Sequence, residues 1–142
     1  MKYIITLLLL SLFTYAEDAN SLEVDNKTID LASDDFAKCS AFFYILIMPV
    51  EGTNEPDLME KYRDSGVDAL SNAIKFAKSY ENKEIARNEL ADKASMYVSS
   101  MLTEIEYNFE NKSILMDKHL LFCNEIMKSP EGHYNKTLKK QG

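Results

Sequence analysis

Two cysteines, Cys39 and Cys123, carry the most specific chemistry in the sequence. Aromatic residues such as Phe36 and Phe43 share the helical stripe of Cys39, and an apolar setting raises the pKa of a thiol and weakens it as a nucleophile. The Cys-x-x-Cys spacing of redox and zinc sites is absent from the sequence. We therefore predict a disulfide between Cys39 and Cys123, with two buried free thiols as the alternative.

Histidine and methionine make a weaker case for a metal or haem site. A di-iron helical bundle uses Glu-x-x-His, but the residue three before His119 is Met116. The haem-attachment motif Cys-x-x-Cys-His is also absent from the sequence. We expect His119 at the edge of the core and His133 in solvent, and we assign no metal ligand and no cofactor.

Carboxylates in the second half of the chain could form a general acid–base pair or a cation site. Glu106 and Glu110 lie one turn apart on a predicted helix, and Asp117 follows them. An acidic, solvent-facing helix surface explains the same pattern, and the sequence lacks the Asp-x-Asp-x-Asp-Gly spacing of a calcium loop. No residue is therefore assigned a catalytic role, and an acid-dependent enzyme is kept only as an alternative.

Four tyrosines suggest a further alternative, a ligand cavity. Tyr44, Tyr62, Tyr80 and Tyr97 recur at nearly regular intervals on different predicted helices. Their hydroxyls could converge on a ligand, or they could lie at the edge of the core in contact with water. The second arrangement is our expectation, because the spacing has little meaning across separate helices.

The predicted helices that carry these residues are preceded by an N-terminal stretch that is typical of a signal peptide. The stretch MKYIITLLLLSLFTYAED places Lys2 before an apolar run over residues 3–13, and Ala16 completes a small-residue cleavage pattern. A membrane-spanning helix needs about 20 apolar residues. We therefore predict a signal peptide over residues 1–16, cleaved after Ala16, and a secreted or periplasmic protein without a stable membrane span in the mature chain.

Residues 17–32 predict a flexible acidic leader, after which the first helical stripe begins. Ser33 is a suitable N-cap, and Asp34 and Asp35 would then lie at the positive end of the helix dipole. Pro49 predicts the end of this helix. Its apolar residues cover most of the circumference, which predicts the most deeply buried helix of the fold.

The rest of the sequence predicts three more helices from its apolar periodicity. The second helix is expected to begin at Pro56, and a turn is expected near Glu81–Asn82, with one long helix over residues 56–110 as the alternative. The third helix would continue to Glu110, and Asn111 or Ser113 would cap the last helix.

Together these segments predict an all-α fold, a small four-helix bundle of up-down topology over residues 33–128, cross-linked by one disulfide. A mobile polar tail is expected over residues 129–142. The first and last helices of such a bundle are neighbours, which would bring Cys39 and Cys123 together. The loop-entropy description assigns roughly 4–5 kcal/mol of stability to a cross-link of this span.

The charge of the chain limits its expected partners. The formal net charge is −7 at pH 7, and removal of Lys2 with the signal peptide would make it more negative. We expect no nucleic-acid binding, because phosphate contacts require clustered Lys and Arg. Asn-x-Ser/Thr sequons begin at Asn26, Asn111 and Asn135, and they would matter if the protein is secreted by a eukaryote.

These features predict a small exported helical protein that acts as a binding or accessory module for an unidentified protein or small ligand. The prediction rests on the secretory pattern, the expected disulfide and the lack of a catalytic motif in the sequence. A ligand- or cofactor-binding bundle and a small acid-dependent enzyme are the alternatives.

Overall fold

The computed structural model describes residues 26–48, 55–77 and 83–141. The signal peptide predicted for residues 1–16 lies outside these ranges, as do the first part of the predicted leader and the turn expected at Glu81–Asn82. Within the described ranges the chain forms helices and no strand, so the prediction of an all-α fold is confirmed.

Five helices are present in the described part of the chain, rather than the four that were predicted. The first, α1, covers residues 26–47, and it is followed by α2 (Pro56–Ala77) and α3 (Lys83–Glu104). A short 3-10 turn, Phe109–Asn111, leads into α4, which consists of Lys112–Leu115, a π-helical turn Met116–Leu120 and Leu121–Lys128. The last helix, α5, is Pro130–Gln141.

Helix α1 is already helical at residue 26, so Ser33 is not its N-cap and residues 26–32 do not belong to a flexible leader. Thr28, Ile29 and Ala32 are buried in the described structure. Their burial outweighs the local preference of Ser33 for a helix start, and the Ser33 hydroxyl is buried without a hydrogen-bond partner. The helix ends before Pro49 as predicted, because a residue that precedes proline disfavours the α conformation.

The polar segment after residue 129 forms helix α5 rather than the predicted mobile tail. Pro130 occupies its start, where a missing N–H is tolerated, and Glu131 lies in its first turn. Lys139 and Lys140 lie in its last turn, so the charges at both ends favour the helix dipole. The contacts that hold α5 come from a histidine and a tyrosine instead of an aliphatic stripe, so the apolar periodicity does not reveal them.

Helix α3 ends at Glu104 and does not reach Glu110 as predicted. Glu106 and Tyr107 adopt the left-handed conformation, with φ of 55° and 54°. The Tyr107 N–H donates to Leu102 O at 2.8 Å and the Glu106 N–H donates to Thr103 O at 2.9 Å. This is the hydrogen-bond pattern of a Schellman motif, with glutamate at the position where glycine is usual.

The segment after this motif is fixed by two asparagines. The Asn108 side chain accepts a hydrogen bond of 3.0 Å from the Glu110 N–H and caps the 3-10 turn. The Asn111 side-chain amide donates to Ile105 O at 3.3 Å. A glycan on the Asn111 sequon would therefore compete with a contact that holds the loop between α3 and α4.

Helix α1 is central and contacts each of the other described helices. Gly66 brings α2 close, since a Cβ placed there would lie 3.5 Å from the Cβ of Phe43. Side chains of α3, α4 and α5 reach α1 through a hydrogen bond, a disulfide and a histidine contact. Most positions of α1 are buried, as its apolar circumference predicts, and the fully buried side chains include Phe36, Phe42 and Ile45.

The predicted disulfide is present and joins α1 to α4. Cys39 and Cys123 are both buried, their Cα atoms lie 5.5 Å apart, and they are separated by 84 positions in the sequence. The bond therefore fixes the central helix to a helix near the other end of the chain. Among the helices that the structure describes, none has the length and apolar composition needed to cross a lipid bilayer.

Candidate functional site

A cleft of about 360 Å³ lies between α1 and α4, and we name it the α1–α4 cleft. Its lining combines basic, acidic, imidazole and aromatic side chains with one half of the disulfide, namely Asp35, Lys38, Lys118, His119, Phe122 and Cys123. The disulfide fixes the distance between the two helices at this point. The cleft is thus a recess with rigid walls and several polar groups.

The π-helical turn of α4 supplies two of these residues, Lys118 and His119. Such a turn is wider than a regular helical turn and is frequent at functional sites. The His119 side chain packs on the central helix, with its ring centroid 5.7 Å from that of Phe42. His119 is only 5% exposed, so the prediction that it lies at the edge of the core is confirmed.

The protonation of His119 is controlled by its surroundings. Burial is the main cause that lowers its pKa below the ordinary value of 6.5, Lys38 and Lys118 lower the pKa further, and Glu104 acts in the opposite direction. The imidazole is therefore neutral at neutral pH. Within the described part of the chain, neither ring nitrogen forms a hydrogen bond, and neither is sealed from solvent.

The two lysines of the cleft differ in how their charge is balanced. Lys118 Nζ lies 2.8 Å and 2.9 Å from the two carboxylate oxygens of Glu104. Lys38 has no carboxylate within ion-pair distance among residues 26–48, 55–77 and 83–141. Its ammonium lies 5.7 Å from the ring centroid of Tyr97, a cation–π contact that holds the side chain beside the cleft.

Asp35 forms the acidic wall of the cleft and is held by α5. Its Oδ2 lies 2.9 Å from His133 Nε2, and the His133 side chain is only 11% exposed. The imidazole also meets Phe36 and Phe122 edge-on, with ring centroids 5.8 Å and 5.9 Å away. The prediction that His133 is solvated is therefore wrong, because the helix that carries it packs on α1 and α4.

A second, smaller cavity of about 220 Å³ lies between α4 and α5. Phe122 and His133 line it, and Phe122 is also a wall of the α1–α4 cleft. The Phe122 ring is thus a wall common to both recesses, and Asp35 of one recess is bound to His133 of the other.

Tyr97 lies beside the cleft with its hydroxyl engaged. The hydroxyl donates a hydrogen bond of 2.5 Å to Asp34 Oδ2, and Lys93 Nζ lies 3.8 Å from Asp34 Oδ1. Burial raises the pKa of Tyr97, and the hydrogen bond to Asp34 raises it further. Tyr97 therefore remains protonated and acts as a fixed donor that orients Asp34.

Tyr44 and Tyr97 line different recesses of the described structure. Tyr44 is 54% exposed and lines a groove between α1, α2 and α3, whereas Tyr97 lines a different recess with Lys93 and Met96. Tyr62 is half-buried, and Tyr80 lies outside the described residues. The alternative that was not favoured, convergence of these hydroxyls on one ligand, is therefore excluded for Tyr44 and Tyr97.

The acidic residues considered for catalysis are also separated by the fold. Glu106 lies in the left-handed loop, Glu110 lies in the 3-10 turn and Asp117 lies in the π-helical turn, and all three side chains are exposed. The expectation that Glu106 and Glu110 lie one turn apart on the same helix is wrong, because α3 ends at Glu104. The described residues contain no group of three or more His, Cys, Asp or Glu side chains arranged to hold a metal ion.

The cleft was missed at the sequence level, although the cysteines point to it. Lys38 directly precedes Cys39, and His119 lies four residues before Cys123. Asp35 and His119 each lie one helical turn before a cysteine, so pairing of the two cysteines places these residues on either side of the same gap. The contribution of α5 has no such marker, because it depends on recognising Pro130–Gln141 as a helix.

The chain was compared with protein-family models, curated proteins and solved structures, and none of the three comparisons gave a match.

Proposed function

We propose that this chain is a small exported protein that acts by binding, and that the α1–α4 cleft is its binding site. The proposed export is supported by the secretory pattern at residues 1–16 and by the disulfide, since disulfides persist mainly in oxidising compartments outside the cytosol. The proposed activity is binding without turnover.

The observation that carries the proposal is the presence of unengaged polar groups in a recess. Lys38 has no carboxylate partner in the described structure, and the ring nitrogens of His119 have no hydrogen-bond partner there. Ligand sites are concave, with apolar walls and a few polar groups that fix the ligand. Phe122 and the disulfide at Cys123 provide the apolar wall.

The volume of the cleft favours a small ligand over a protein partner. About 360 Å³ lies at the lower end of the range of roughly 300–1,000 Å³ that is usual for small-molecule sites. A protein partner, the other ligand class predicted from the sequence, requires a much larger surface of roughly 800 Å² on each side.

Native mass spectrometry of the protein purified from its own exported fraction tests this proposal. We expect a mature chain that begins at Glu17 and carries a bound small molecule. The variant His119→Phe should lose the bound mass, whereas Lys75→Gln, which alters an exposed lysine on α2, should retain it. A protein that stays in the cytosol, or one whose bound mass is unaffected by His119→Phe, would contradict the proposal.

A further inference from the structure

We infer that the α1–α4 cleft binds a small organic anion, whose anionic group is held by Lys38, Lys118 and His119 and whose apolar part lies against Phe122. This inference rests on the proposed binding function and names the chemical class of its ligand. The lining of the cleft by these residues is the geometry from which it is drawn.

Two positively charged side chains line one recess of an acidic chain. The whole chain has a formal net charge of −7, yet Lys38 and Lys118 both line the α1–α4 cleft beside the neutral imidazole of His119. Like charges that are brought together repel one another unless an opposite charge joins them. A bound anion would relieve this repulsion, which Glu104 relieves at Lys118 alone.

Lys38 is held in position without an ion-pair partner in the described structure. The ring of Tyr97 lies against its ammonium, and Tyr97 is itself fixed by the hydrogen bond to Asp34. A cation–π contact orients an ammonium without supplying an opposite formal charge. Lys38 is therefore pre-organised for an anion, which lowers the entropy cost of binding.

Asp35 and Glu104 are the nearby carboxylates that would oppose a bound anion. Asp35 lines the cleft, but its Oδ2 lies 2.9 Å from His133 Nε2 and is engaged there. Glu104 is bound to Lys118 through both of its oxygens. Both carboxylates thus have partners of their own, while Lys38 has no carboxylate within ion-pair distance in the described structure.

The apolar lining of the cleft favours an organic anion over a bare inorganic ion. On α4, about one helical turn from Lys118 and His119, the cleft is lined by the ring of Phe122 and by Cys123 of the disulfide. These surfaces offer no hydrogen bond, and a fully hydrated ion gains nothing from them. A ligand that combines a carboxylate or phosphate group with an apolar group would bury that apolar group against Phe122.

The test is an NMR titration of the disulfide-intact mature protein with benzoate, its neutral analogue benzamide, and inorganic phosphate. We expect benzoate to shift the imidazole resonances of His119 and to raise the pKa read from them, because an adjacent negative charge favours imidazolium. Benzamide should leave that pKa unchanged. Phosphate should bind at least tenfold more weakly than benzoate.

Two variants assign the effect to the cleft. Lys38→Gln should weaken benzoate binding at least tenfold and Lys38→Arg should restore it, whereas Lys75→Gln, which removes the same charge on α2, should bind as the unmodified protein does. The inference is overturned if no anion shifts His119, if benzamide binds as well as benzoate, or if phosphate binds better than benzoate.

The outcome also separates this inference from the proposed function. If the natively purified protein carries a small molecule that His119→Phe loses, but that molecule is uncharged and benzoate does not bind, the anion inference fails and the proposed function stands. If no bound molecule is found and benzoate does not bind, both fail.

Discussion

Asp35 Oδ2 on α1 lies 2.9 Å from His133 Nε2 on α5, although 98 positions separate the two residues in the sequence. The contact attaches the last helix to the central one beside the α1–α4 cleft. Phe36 and Phe122 enclose the imidazole edge-on from α1 and α4. Three helices therefore meet at His133, and the acidic wall of the cleft is fixed by this residue.

Removal of the His133 side chain should loosen α5. His133→Ala deletes one hydrogen bond to a carboxylate and two edge-on ring contacts, and we expect a loss of about 1–3 kcal/mol in the free energy of unfolding. Urea denaturation followed by circular dichroism measures this loss. Lys139→Ala, on the exposed face of α5, is the control and should change stability by less than about 0.5 kcal/mol. Equal stability of the two variants would show that the contact contributes nothing.

The disulfide should contribute strongly to the free energy of unfolding. Replacing both Cys39 and Cys123 by Ala removes a cross-link that spans 84 positions, and the loop-entropy description gives a loss of roughly 4–5 kcal/mol. Guanidinium denaturation of the oxidised protein, the reduced protein and the double variant measures it. The reduced protein and the variant should agree closely. Two thiols that can be alkylated in the denatured, unreduced exported protein would contradict the bond itself.

Replacement of Glu106 by glycine should stabilise the C-terminal end of α3. Glu106 has a φ of 55°, a conformation that costs a residue with a Cβ roughly 1 kcal/mol. Glu106→Gly should therefore raise the free energy of unfolding by up to about 1 kcal/mol, and thermal denaturation would record a higher midpoint. Glu110→Gly is the matched control, since Glu110 lies in the 3-10 turn without a positive φ. Glu110→Gly should lower the free energy of unfolding. If both variants raised it equally, the left-handed conformation of Glu106 would not be the cause.

The sequence predicts those parts of the fold that follow from residue type. These are the apolar circumference of α1, its end before Pro49 and the pairing of the two cysteines. The end of α3 could not be predicted in the same way, because glutamate occupies the left-handed position that usually contains glycine. Helix α5 was missed because its contacts come from His133 and Tyr134, residues that polarity scales place at the surface.

The same distinction applies to the candidate site. His119 at the edge of the core could be predicted from its position on an apolar stripe. Its place in a cleft could not, because Lys38 reaches the cleft from α1 and Asp35 is fixed only after α5 has packed. A site that is assembled from three helices by long-range contacts leaves no motif in any one of them.

The stability of the protein should depend on pH through His119. Burial first, and then Lys38 and Lys118, lower the pKa of this imidazole in the folded state below 6.5, while Glu104 opposes them. Asp35 lines the same cleft but is engaged by His133. The unfolded chain therefore binds the proton more readily than the folded chain, and the contribution of His119 is complete above about pH 6.5 and falls as the pH decreases from there towards the folded pKa.

Unfolding free energies measured at intervals between about pH 5 and pH 7.5 test whether stability falls with decreasing pH as expected. His119→Gln should be less stable at every pH, because its contact with Phe42 is lost, but its stability should change less across the interval than that of the unmodified protein. Lys112→Gln, an exposed lysine on the same helix, should keep the original slope. A slope that is unaltered by His119→Gln would mean that another group controls the pH dependence. A stability that rises as the pH falls through 6.5 would mean that the folded protein favours imidazolium, which is the behaviour expected once an anion occupies the cleft.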